Sequence, residues 1–171
     1  MSVAALQPFY EGWGKHQALV IDALHRLTPG QLDLRTAPHQ WAIWQLTGHV
    51  AGARAYWFHD VLGEGDPATR ELFRVDRTTV ADLPLEDAGW EDDEDHPRSA
   101  EELVDGLSRS WTMVDDCLRR WSAEDLDATV QRPSRTHHRG WVVWHVMEHD
   151  LHHGGEISQI LGSNGLSGLD L

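Results

Sequence analysis

Residues 141–161 read WVVWHVMEHDLHHGGEISQIL, and the fold is decided by how this stretch is read. It reads as one helix of about 20 residues, running from about Trp141 to Leu161 and closed by Gly162 as its C-cap. His145, His149, His152 and His153 lie along it. Residues four apart lie nearly above one another on a helix, so His145–His149 and His149–His153 are both facing pairs. Two imidazoles at that spacing can grip one metal ion, and Glu156 falls on the same face. Gly154 and Gly155 interrupt the helix interior, where each costs roughly 1 kcal/mol relative to alanine. That cost predicts the close approach of a neighbouring helix or a ligand.

Three further segments read as helices. The first runs from about Ala4 to Leu27, with Leu19, Val20, Ala23, Leu24 and Leu27 at three- and four-residue spacing. It stops at Thr28-Pro29-Gly30. The second runs from about Gln40 to Leu62, between Pro38 and the pair Gly63 and Gly65. The third runs from about Ala100 to Trp121 and opens on a capping box, Ser99 with Glu102. Its stripe is Leu103, Leu107, Trp111, Val114 and Leu118. No segment shows the alternation of a strand. The expected fold is therefore all-α: a single-domain four-helix bundle over residues 1–171, with a long crossover between helices 2 and 3. The crossover spans Glu64 to Arg98 and carries the acidic run Glu91-Asp92-Asp93-Glu94-Asp95.

A pair of histidines on one helix makes a weak site, so a third ligand should come from a neighbour. A partial internal match offers one. Trp141-x-x-Trp144 precedes His149 by the same interval at which Trp41-x-x-Trp44 precedes His49. The match places His49 and His149 at similar depth, and places Ala53 opposite His153. The expected metal ligands are His49, His149 and His153. Three neutral imidazoles leave one corner of a tetrahedral ion open, as catalytic sites do. Zinc suits such a site, and nickel, iron, manganese and copper are open alternatives.

The other histidines carry less. His16, His25, His59 and His96 read as surface or internally satisfied residues, and His137-His138 as part of a polar loop between Pro133 and Gly140. Cys117 is the only cysteine, so no internal disulfide forms, and it reads as a small buried apolar residue. The charge balance of 14 basic against 28 acidic residues, or −14, argues against a nucleic-acid or anionic-membrane partner. No signal peptide and no stretch of about 18 apolar residues is evident, so the expected location is the cytoplasm.

The run from Trp144 to Ile157 is similar to the fourth-helix signature of DinB-like proteins. Helix two resembles theirs as well, through Trp44, Gly48-His49-Val50-Ala51-Gly52 and Tyr56-Trp57. So does the tail from Leu161-Gly162 to Leu169. The resemblance implies a four-helix bundle whose metal is held by one residue of helix two and two residues of helix four. Matched position by position, these are again His49, His149 and His153. In several relatives the first helix-four ligand is a glutamate, where this chain has His149. The resemblance also implies transfer of a low-molecular-weight thiol such as mycothiol, bacillithiol or glutathione to an electrophile, and a homodimer.

Metal coordination favours thiolate over thiol, and thiolate is the nucleophile. His145, His152, Glu156 or Tyr56 could move a proton at such a site, and Glu148 or Asp150 could hold a ligand imidazole. For each of these a surface or packing role is the alternative. Trp44 and Trp57 could line a pocket beside His49. Two further readings stand beside thiol transfer: metal-assisted hydrolysis, and a non-catalytic metal-binding stress-response protein. A bundle with no metal is the bland alternative.

Overall fold

The computed structural model describes residues 3–70, 93–132 and 135–170. Most of the expected crossover, with Glu91 and Asp92 of the acidic run, lies outside the described residues. Among the described residues seven α-helices occur in chain order: α1 (Gln7–Arg26), α2 (Pro29–Leu32), α3 (Ile43–Ala55), α4 (Pro67–Arg70), α5 (Ala100–Arg120), α6 (Ala123–Asp127) and α7 (Arg139–Ser163). Four are long, and each of these packs on two others: α1 and α3 both contact α5 and α7. None is long and apolar enough to cross a membrane.

Local chemistry explains most boundaries. Ser99 accepts from the Glu102 backbone N–H at 3.3 Å while Glu102 accepts from the Ser99 N–H at 2.8 Å, so the expected capping box starts α5. Thr28 and Gln31 form a second box, with Pro29 in the first turn where its missing N–H costs nothing. The expected stop at Thr28-Pro29-Gly30 is thus a stop followed by a one-turn restart. The α3 helix begins at Ile43, not Gln40, because the Ile43 N–H is taken by the Leu34 carbonyl and the Ala42 N–H by the Gln45 side chain. It then widens into a π-helical segment, Tyr56–Val61. Gly162 does not cap α7. The helix runs on to Ser163, and Gly165 takes the left-handed turn at φ 71°.

The strictly all-α expectation is corrected at one point. Thr129–Gln131 (β1) pairs antiparallel with Thr136–His138 (β2), with Val130 opposite His137. Strands of three residues are too short to show an alternation. His137 and His138 therefore belong to a strand, not to a loop.

Two apolar clusters fill the interior. One gathers Val20, Leu24, Val50, Leu107 and Ile157; the other gathers Trp13, Phe58, Val114 and Val146. Along α3 with its π-helical continuation, and along α5, the chain passes from the first cluster to the second, and along α1 and α7 it passes back. The packed pair α3 and α5 therefore runs parallel. Between the clusters every long helix contributes buried polar residues: His16 and Gln17, Arg54, Ser110, and Asp150.

Candidate metal centre

His49 projects from α3, and His149 and His153 from successive turns of α7. Their rings meet. Centroids lie 4.7 Å apart for His49–His149, 4.9 Å for His49–His153 and 4.5 Å for His149–His153. One nitrogen from each lies within 4.8 Å of the others, and Nε2 of His49 and Nε2 of His149 are only 2.8 Å apart. All three side chains are partly exposed.

The far side of two of these rings faces carboxylates. His153 Nδ1 pairs with Glu156 Oε2 at 2.6 Å. His149 Nδ1 is buried without a hydrogen bond, and the atom facing it at 3.9 Å is Asp150 Oδ1, likewise buried and unbonded. A carboxylate behind Nδ1 draws the ring proton to that nitrogen and leaves Nε2 as a bare acceptor. Nε2 of His49 and Nε2 of His149, 2.8 Å apart, share a proton when His49 carries its own on Nε2, and can share a cation when both rings carry theirs on Nδ1. The donor set thus fits a divalent cation.

Asp150 is 1% exposed, and all its donors converge on Oδ2: Trp13 Nε1 at 2.6 Å, and Arg54 Nε and Nη2 both at 2.7 Å. Burial opposes its charge, but the Arg54 guanidinium, the neighbouring His149 imidazole and the hydrogen bonds from Arg54 and Trp13 hold its carboxyl below the usual range. Arg54 also donates to the Leu107 carbonyl at 3.4 Å, as Gln17 does at 3.2 Å. Of the two expected carboxylates behind His149, Asp150 is the one present; Glu148 is exposed.

Two surfaces flank the centre. On one side a cavity of about 260 Å³ is lined by Trp41, His153, Glu156 and Gln159 among others. On the other, His137, Trp141 and His145 form a column of rings, with centroids 4.1 and 4.8 Å apart. Trp57 meets the rings of this column nearly edge-on, and Arg132 lies 5.2 Å above the Trp57 ring. No carboxylate pairs with Arg132 among the described residues.

The four residues expected to move protons separate. His145 sits 6.4 Å from His149, ring to ring, and burial together with the nearby His149 pulls its pKa down. Glu156 is bound to His153, and the 60%-exposed His152 lies 3.7 Å from Glu156. Tyr56 is hydrogen-bonded by Arg132 and packs on Trp57, on the aromatic side rather than among the three histidines. Trp57 likewise lies against His145, not beside His49. The ring on His49 is Trp41, 4.7 Å away, with Trp44 nearby in a narrow crevice. His16 proves buried, facing Gly154, with Nδ1 unbonded. His59 and His96 pair with Asp60 and Asp93.

Sequence reading missed Arg54, Trp13 and His16. The available signal was a charged side chain, Arg54, within the otherwise small and apolar Val50-Ala51-Gly52-Ala53 and Ala55 stretch.

Fold and centre together define a class: mostly helical proteins that gather histidines from two long helices onto one point. Residues 13–157 match the profile of the DinB superfamily, and the chain belongs to that superfamily. A DinB-like protein from Bacillus cereus ATCC 10987 shares its fold, with TM-score 0.65 and 18% identity over 97% of both chains. A conserved protein from Enterococcus faecalis does so with TM-score 0.71 and 18% identity, over 94% of this chain and 95% of that one. No curated protein matches the sequence.

Proposed function

We propose that this chain is a divalent-metal-dependent thiol transferase, built as a single-domain four-helix bundle with a long crossover between helices 2 and 3. His49, His149 and His153 are the metal ligands. The observation that carries the reading is their convergence, with Nδ1 of both α7 ligands turned toward carboxylates, in a chain of the DinB superfamily. A cation held there, zinc or another of the divalent metals named above, would favour thiolate over thiol.

The thiol comes from outside the chain. Cys117 is buried, and burial with the nearby Glu64 carboxylate pushes its thiol up to about 12. It stays protonated at neutral pH and is no nucleophile. A low-molecular-weight thiol such as mycothiol, bacillithiol or glutathione fits the partly exposed centre. Its sulfur forms the new bond to carbon, and the leaving group departs with its electron pair. Glu156 stands at the cavity where the thiol proton can be accepted. His145, its pKa lowered, is neutral at pH 7 and can take or return a proton on the aromatic side. His152 and Tyr56 lie farther out on the two flanks and would act on bound substrate only at their edges. The column of Trp141 and His145, with Arg132 nearby, offers the electrophile a flat face and a positive charge. The same reading carries small-molecule partners, a homodimer and a cytoplasmic location, and no nucleic-acid or membrane partner.

The test combines elemental analysis with a thiol panel and a chromogenic aryl halide. Wild type is expected to hold one divalent ion and to turn over only with thiol present. His49→Ala, His149→Ala and His153→Ala should lose both metal and turnover. Activity without thiol would instead point to hydrolysis. Tight metal binding with no turnover would point to a non-catalytic metal-binding protein, and absence of bound metal would end the reading.

A further inference from the structure

We propose that Asp150, clamped by Arg54 and Trp13, is the positioning residue for His149, and that this buried clamp governs cation affinity more than Glu156 does. The inference rests on the metal reading above and adds which part of the protein controls the centre.

The geometry is asymmetric in a telling way. All three donors to Asp150 fall on Oδ2, and Oδ1 is left bare. The bare oxygen faces the one buried, unbonded nitrogen of a ligand ring, His149 Nδ1, at 3.9 Å. Two complementary buried atoms each lacking a partner are costly, roughly 1–3 kcal/mol apiece. A shift of about 1 Å would join them at hydrogen-bond distance. The clamp is also tied to the fold: Trp13 comes from α1, Arg54 from α3 and Asp150 from α7, while Arg54 reaches α5 through the Leu107 carbonyl. It links all four long helices to one imidazole.

Stability alone is a weak reason for this arrangement. A buried ion pair is often no more stabilising than apolar residues of the same volume, because desolvation offsets the attraction. A fixed charge that orients a ring, however, needs a dry and rigid site. Here Glu156 is the contrast. It holds His153 in the same manner, yet it is 42% exposed, so water can replace its hydrogen bond.

The experiment compares Asp150→Asn with Glu156→Gln in the full chain. Zinc affinity is measured by competition with a chromogenic chelator, and the His149 tautomer by ¹⁵N NMR of the metal-free protein. Asp150→Asn keeps the volume and removes the charge. It is expected to weaken zinc binding about 10–100-fold, and Glu156→Gln to weaken it less. In metal-free wild type His149 should carry its proton on Nδ1, and in Asp150→Asn that preference should fade. Unchanged zinc affinity, an unchanged tautomer, or a larger loss in Glu156→Gln would overturn the proposal. If wild type binds no zinc the metal reading falls, while the tautomer comparison still reports on the clamp. Should Asp150→Asn not fold, Trp13→Phe removes one donor and must move both readouts in the same direction, or the clamp is refuted.

Discussion

His16 shows how much one side chain's surroundings decide. The ring is nearly buried on α1, with Asp150 and Arg54 as the charged groups that face it. Burial lowers its pKa; Asp150 opposes that effect and Arg54 adds to it. In the unfolded chain the same imidazole titrates near about 6.5. As pH falls through that value the unfolded state takes up the proton before the folded state does. Stability is therefore full above about pH 6.5 and declines as pH drops toward the lower folded value. Urea melts of the metal-free protein should show this decline, and His16→Gln should flatten it. An equal slope in the variant would assign the effect to other groups.

The adjacent glycines of α7 make opposite predictions although they are identical in sequence terms. A Cβ on Gly154 would run into the His16 imidazole, whereas one on Gly155 would meet nothing within 4 Å. Gly155→Ala should stabilise the helix by about 0.5–1 kcal/mol, the ordinary difference in propensity. Gly154→Ala gains the same propensity but must displace a buried ring, and overpacking of that kind costs about 1–3 kcal/mol. Its net effect should be destabilising, and thermal melts of the two variants should move in opposite directions. The close approach expected from the two glycines is thus real at one position and absent at the other.

For the molecule as a whole, the three histidines proposed as ligands come from α3 and α7, so a cation held by all three would bind only the folded state. Zinc at a hundredfold excess over its Kd should then add about 2.7 kcal/mol. For a chain of this length that is a rise in Tm of roughly 5–11 °C. Calorimetry with and without chelator should show the shift in wild type and not in His149→Ala. A Tm indifferent to chelation would remove the centre from the stability of the fold.

Much of this was legible in the linear chain. The helical stripes, the Ser99–Glu102 cap and the facing pair His149–His153 follow from local geometry, because a helix puts residues three and four apart on one side whatever surrounds it. The matched spacing of His49 and His149 also carried the depth at which their rings meet, since equal intervals along two helices mean equal rise. Packing alone decided the rest. That Asp150 rather than Glu148 stands behind His149, that Arg54 and Trp13 close on it, that His16 fills the space beside Gly154, and that Cys117 is sealed from ionisation all depend on which helix faces meet. Spacing within one helix fixes direction relative to its own axis; only the contact between helices sets which atoms share a dry interior, and there a charge or a nitrogen lone pair acquires its role.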